Sequence, residues 1–314
     1  MMNDNNVLQS NETDMELTVE QAQEFLKNYI EKTGKTQSAV AQELGISSGG
    51  LSSFLSGNYK TPHKIVPKVK NLMEISEKKK ITLTDPPFVE TTVSKMVKNA
   101  IKYSHVRGKI SVVYGDAGIG KTQAFRSYLR ENGLAVGITI APSYASITGV
   151  NELLAEQLGV RERYARKVYN EIINRLSGSG RVIIIDEAQH LTVRALNHIR
   201  CLADEAEIGV CLIGNEEVYS KMKGSGKADF AQLFSRIGMR EPVSIHNIKK
   251  EDVRKVFQDA DLPEDAVDIL YQICQTNYGL RGAVNVFVNT AAVFGEDISA
   301  GTIARMMREM NIGR

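Results

Sequence analysis

Residues 115–122 read GDAGIGKT, and no other stretch constrains the chain as much. It matches G-x-x-x-x-G-K-[ST] in full, follows the apolar run KISVVYG and leads into KTQAFRSYLREN, which reads as a helix. That context predicts a strand, a phosphate-cradling loop and a helix in succession. The glycines let backbone N–H groups turn inward around phosphate oxygens, and the start of the helix adds its positive dipole end. Gly115, Asp116, Ala117, Gly118, Ile119 and Gly120 would form the cradle. Lys121 would reach the β- and γ-phosphates, and Thr122 would place its hydroxyl on Mg²⁺. The ligand this implies is ATP with Mg²⁺.

The surrounding pattern fits. Between 89 and 241, LAVGITIA, RVIIID and IGVCLIGN read as further buried strands separated by helical segments such as GVNELLAEQLGV and VRALNHIRCLADEA. Apolar strands alternating with helices predict a parallel sheet covered on both faces. In RVIIIDEAQH, Asp186 and Glu187 fall at the carboxyl end of their strand, where such sheets bind ligands. Asp186 would hold Mg²⁺ through water, and Glu187 would polarise the attacking water, so turnover should need it more than binding does. DEAQH also resembles a helicase motif, but the other helicase motifs and a second such core are missing. Asn215 ends the next strand, where an amide can orient the lytic water or merely cap a turn. In AQLFSRIGMR, Arg236 or Arg240 could reach a neighbouring subunit's γ-phosphate or form a surface ion pair; Arg236 is the favoured choice. Arg281, in YGLRGAV, follows a glycine turn at a helix start and could report nucleotide state from a C-terminal lid.

Composition bounds the remainder. With 314 residues, 42% hydrophobic and 24% charged, the chain is long enough for two or three globular domains. No apolar run reaches the roughly 18 residues of a membrane span, and the polar, acidic N-terminus does not resemble a signal peptide. Cys201, Cys211 and Cys274 are widely spaced and read as free thiols in a reducing cytoplasm. Residues 1–16 are expected to be disordered. Residues 17–76 read as a helical domain, 77–88 as a linker containing a lysine run and Pro86-Pro87, 89–241 as the nucleotide-binding core, and 242–314 as a helical lid. The net charge of +2 hides a gradient: residues 25–80 carry ten lysines against four acids, while residues 1–24 carry six acids and no base. The basic excess suits a polyanion partner or an ordinary solvated surface.

In SAVAQELGISSGGLSSFLSG, residues 38–57, two short helices meet at LGIS. Ala39, Val40 and Leu44 would pack, Gly45 would turn the chain and Ile46 would plug the core, giving a helix-turn-helix. The second helix would expose Ser47, Ser48, Gly49, Gly50, Ser52 and Ser53. Base discrimination relies on Arg at guanine or Asn and Gln at adenine, each good bidentate pair giving about 1–3 kcal/mol. This helix lacks such side chains, so Ser48 could approach a groove while Lys60, Lys64, Lys68 and Lys70 touch phosphates. Two further basic segments could line a DNA channel: Arg161, Arg163, Arg166 and Lys167 at a helix entry, and Lys221, Lys223 and Lys227 in a glycine-containing loop over 220–229. A solvated charged face is the competing explanation for each.

Taken in order over roughly 88–314, these pieces resemble the AAA+ ATPases. GDAGIGKT is similar to Walker A, VIIIDEA to Walker B, Asn215 to sensor 1, Arg236 to the arginine finger and Arg281 to sensor 2. Within that superfamily PPFVET, ITIAPSYAS, IIIDEAQHL, GNEEVYSKM and FAQLFSRI resemble the transposition protein B family, the target-selection ATPases of transposable phages. The N-terminal helix-turn-helix repeats that family's domain order. The resemblance implies a homo-oligomer or filament that assembles on double-stranded DNA with ATP and little sequence preference. It also implies delivery of that DNA to a transposase, and stimulation of the transposase, in a bacterial host's cytoplasm. Two other functions share parts of this pattern. An ATP-switched transcription regulator would need a recognition helix rich in Arg, Asn or Gln, and a helicase loader would bind a helicase rather than a transposase.

Overall fold

The structure, a computed structural model, describes residues 17–81, 86–223, 235–295 and 297–312. The expected disorder of 1–16 and the position of Lys227 lie outside these residues. The chain divides between residues 82 and 83 into two compact units.

The first unit is helical. Helix α1 (Val19–Thr33) starts at Thr18, whose hydroxyl accepts from Gln21 N–H while Gln21 returns a bond to Thr18 N–H, and it stops at left-handed Gly34. Thr36 caps α2 (Gln37–Glu43), and Ser47 caps α3 (Ser48–Leu55) by accepting from Gly50 N–H at 3.1 Å. Gly45 makes the intervening turn at φ +61°. Leu26, Val40, Ala41, Leu44, Leu51 and Phe54 bury the shared core, with Ile46 partly buried against it. Ala39 is only partly buried, and Ala41 takes the packing role expected of it. Helix α4 (Val66–Ile81) continues through the lysine run and into the segment expected as a linker. Lysine is a good helix former, and the Pro86-Pro87 pair restricts only its immediate neighbours.

The second unit carries a five-stranded, all-parallel sheet of order β2-β3-β4-β1-β5, formed by β1 (Ile110–Gly115), β2 (Ala135–Thr139), β3 (Val182–Asp186), β4 (Gly209–Gly214) and β5 (Ile237–Val243). Alternate residues of β3 face opposite sides: Val182 and Ile184 join one apolar cluster, Ile183 and Ile185 the other. Helices α5 (Thr92–Arg107) and α6 (Lys121–Glu131) cover the first side. On the second lie α7 (Ile147–Leu158), α8 (Ala165–Leu176) and α9 (Val193–Ala206). The short α10 (Glu216–Lys223) follows β4. Its helix therefore includes Lys221 and Lys223, which sequence reading assigns to a loop.

The expected architecture is present: a parallel sheet flanked by helices, a helical C-terminal region and an N-terminal helical unit in which α2 and α3 meet at a turn. Strand β5 is the element least visible in the sequence. It is an edge strand with Gly238, Arg240 and Glu241 at its centre, and only Ile237 and Val243, at its two ends, are fully buried.

After β5 come α11 (Lys250–Val256), α12 (Glu264–Cys274), α13 (Gly279–Phe294) and α14 (Ala300–Glu309), which share the first apolar cluster with α5. One buried carboxylate joins the two parts. Asp252 accepts from Thr92 N–H at 2.9 Å and from Lys249 N–H at 3.0 Å, so it caps the first turns of both α5 and α11.

Candidate nucleotide-binding and active site

The loop leaving β1 has left-handed backbone at Gly115, Gly118 and Gly120 before α6 begins at Lys121. That succession of turns makes the concave nest of N–H groups from which phosphate cradles are built. Gly118 also meets the C-terminal helices: its carbonyl accepts from Arg281 N–H at 2.9 Å, and a Cβ there would lie 2.9 Å from the Tyr278 carbonyl. Asp116 ties the loop to the exit of β5, because its Oδ2 accepts from Ile245 N–H at 2.8 Å.

Lys121 points into this loop. Its ammonium donates to the Gly115 carbonyl at 3.0 Å and to the Asp116 carbonyl. Burial lowers its pKa, and the negative charges of Asp186, Glu187 and Asp116 oppose that shift. Thr122 Oγ1 donates to Asp186 Oδ2 at 2.8 Å across the end of β3. Asp186 is almost fully buried, and burial raises its pKa while the Thr122 hydrogen bond pulls it back. A hydroxyl and a carboxylate this close beside a phosphate cradle suit Mg²⁺, which is typically held by one or two carboxylates together with substrate phosphates and water.

Glu187 follows with φ 56°, ψ 35°, a left-handed conformation that costs a non-glycine residue of order 1–3 kcal/mol. Its Oε2 accepts from Gln189 Nε2, and His190 Nε2 lies 4.0 Å away. Asn215 stands beside this group at the end of β4. Its Oδ1 accepts from Glu217 N–H at 2.9 Å, the turn-capping role, while the residue also lines the cleft. Gly118, Gly120, Lys121, Thr122, Asp186, Glu187, Gln189 and Asn215 border one cleft of about 660 Å³. Its lining combines Lys121, Thr122, Asp186 and Glu187 with the apolar Phe88, Val89, Val256, Leu280 and Val284. A wall that offers both charge and apolar surface suits a nucleoside triphosphate. Arg281, exposed on the first turn of α13, reaches the same cleft.

Other expected residues lie elsewhere. Arg236, just ahead of β5, places its guanidinium 3.6 Å from Asp204, which also pairs with Arg200. Arg240 is exposed on the edge strand. Arg161, Arg163, Arg166 and Lys167 are all exposed at the entry to α8, and Lys167 Nζ sits 5.7 Å from the centre of the exposed Tyr164 ring. Ser48, Lys60 and Lys64 are exposed on the first unit. Lys221 turns inward and donates to the Gln189 carbonyl. Sequence reading passed over Gln189, although it stands within DEAQH, because its second partner, Asn215, is brought alongside only by the pairing of β3 with β4.

Comparison with known proteins places the chain in a family. Residues 105–222 match the AAA domain family. The ATP-dependent target DNA activator B of Escherichia phage Mu is 32% identical over 295 residues, 91% of this chain and 94% of that protein. The DNA transposition protein B of the Mu-like prophage FluMu of Haemophilus influenzae is 31% identical over 266 residues, 82% of this chain and 91% of its own. The chain belongs to the transposition protein B family. It is an AAA-type, ATP-dependent ATPase, and the family's extent covers both structural units. Among solved structures, domain III of the replication initiation protein DnaA from Thermotoga maritima aligns with 72% of this chain and 95% of its own, at 16% identity and a TM-score of 0.48. Among the described residues, no helix is long and apolar enough to cross a membrane.

Proposed function

We propose that this transposition protein B family member assembles as a homo-oligomer on double-stranded DNA when loaded with Mg²⁺ and ATP, with little sequence preference. It then presents that DNA to a transposase and stimulates it. The observation that carries this reading is similarity to the target DNA activators across 91% of the chain, with the N-terminal unit included.

The residues divide the work. Bound ATP supplies the phosphoryl group to be cleaved, and Mg²⁺ neutralises charge on its oxygens. Lys121 and the 115–120 backbone hold the phosphates, Thr122 and Asp186 hold the metal, and Glu187 accepts the proton of the attacking water. Asn215 helps to orient that water. Arg281 senses the nucleotide from the C-terminal helices. Arg236 exchanges Asp204 for a neighbouring subunit's nucleotide, which makes full turnover depend on assembly. Arg161, Arg163, Arg166 and Lys167 contact phosphates of the duplex, with the exposed Tyr164 among them.

The operator-reading alternative is disfavoured by the exposed face of α3, where Ser48, Gly49 and Ser52 offer no long bidentate donor. Electron microscopy with random-sequence duplex tests the proposal. ATP-dependent filaments on unrelated sequences are expected, and discrete dimers confined to one site would overturn it.

A further inference from the structure

We propose that Gln189 is the positioning residue of the catalytic glutamate. Its side-chain amide fixes the Glu187 carboxylate so that one oxygen is held and the other faces the attacking water. The inference rests on Glu187 acting as the base.

Glu187 needs such a holder. Its side chain is 45% exposed, and its two methylenes give it rotamers that solvent alone does not restrict. The local backbone is left-handed at Glu187 and continues into a single 3₁₀ turn, Ala188–His190. That turn folds Gln189 back over the residue two positions before it. Gln189 Nε2 donates to Glu187 Oε2. The opposite end of the same amide accepts Asn215 N–H at 3.3 Å. Because a backbone N–H can only donate, the amide oxygen must face Asn215 and the NH₂ group must face Glu187. From the other side, Lys221 donates to the Gln189 backbone carbonyl and pins the turn to α10.

An independent feature of β4 makes room for this arrangement. At Gly214 a Cβ would lie 2.5 Å from Gln189 Oε1 and would overlap the Val218 side chain. Any larger residue at 214 would push the amide out of its slot. Glu187, Gln189, Gly214 and Asn215 therefore act as one unit built across the ends of β3 and β4. With Oε2 occupied by the amide, Oε1 is left to take the proton.

A plain structural brace between β3 and β4 would use the same contacts, so the test must separate brace from positioner. The full chain is assayed with duplex DNA, ATP and Mg²⁺ for kcat and KM, and with a fluorescent ATP analogue for binding. Melting temperature is followed in parallel. Gln189→Ala should lower kcat about tenfold or more, with KM, analogue affinity and melting temperature near those of the parent. Gln189→Glu keeps the size and the acceptor for Asn215 N–H but sets a carboxylate against Glu187, and it should lower kcat at least as far. In a Glu187→Gln background, adding Gln189→Ala should leave the residual rate unchanged, because the two residues act through one group. Unchanged kcat in Gln189→Ala would overturn the proposal. So would a fall in kcat matched by weaker nucleotide binding or a lower melting temperature in Gln189→Ala, which would make Gln189 a brace. Normal turnover by Glu187→Gln would remove the reading beneath it. An inactive Glu187→Gln beside a fully active Gln189→Ala would remove this inference alone.

Discussion

The phosphate-binding loop and the helix-turn-helix are both local motifs, yet they differ in how far their residues commit them. Around the loop the side chains read as functional are hydrogen-bonded: Lys121 with the loop carbonyls, Thr122 with Asp186, Glu187 with Gln189. The helix-turn-helix has an equally regular frame, with Thr36 and Ser47 as caps and Leu51 and Phe54 in its core. Its outward face, however, carries short hydroxyls and glycines. One region has chemistry built into its shape, and the other has shape with little chemistry to read a sequence. Control of DNA binding is therefore expected to sit at the nucleotide site, with the N-terminal unit as an accessory grip.

The largest test of that contrast is Lys121→Ala. Turnover should fall on the order of a thousandfold, since the partly buried cation proposed to hold the transferring phosphoryl group is removed, and DNA assembly should fall with it. Steady-state ATPase assays and pelleting with DNA check both. Glu187→Gln should lower turnover by about a hundredfold or more while nucleotide binding and DNA coating persist. A variant that also failed to bind would mean that Glu187 holds the nucleotide rather than activating water.

On the other side of the comparison, Phe54→Ala empties a fully buried site. It should destabilise the N-terminal unit by about 3–5 kcal/mol, read by calorimetry, without lowering basal ATP turnover. Combined replacement of Arg161, Arg163, Arg166 and Lys167 by Ala should weaken duplex binding and flatten its salt dependence by about 0.9 in log–log slope for each phosphate left unneutralised. Smallest of all, Ser48→Ala should change duplex affinity by less than about 0.5 kcal/mol at any sequence, because an exposed hydroxyl at this position specifies no base. A large or sequence-dependent loss of affinity there would restore the recognition-helix reading.

How much of this was legible in the sequence follows the same line between local and assembled features. The loop, the Asp186–Glu187 pair and the first four strands could be read because each signal lies within a short window: a spacing, an apolar run, a strand followed by a helix. Strand β5 was hidden because an edge strand needs no continuous apolar run, and Arg240 and Glu241 interrupt it. Helix α4 runs to Ile81, into the 77–88 segment, because a lysine run favours helix and the proline pair restricts only its immediate neighbours. Gln189 and Lys221 were hidden for a different reason. Their partners are far along the chain, and only the adjacency of β3, β4 and α10 turns a glutamine in DEAQH into a bracket for Glu187, and a lysine expected on DNA into a support for that bracket.

Nucleotide, and not base sequence, is proposed to decide when this protein holds DNA. Equilibrium binding of the full chain to two duplexes of unrelated sequence, measured with and without ATP and Mg²⁺ at physiological salt, tests it most directly. A large ATP-dependent gain in affinity, the same for both duplexes, is expected. Equal affinity without ATP, or a strong preference for one duplex, would contradict it.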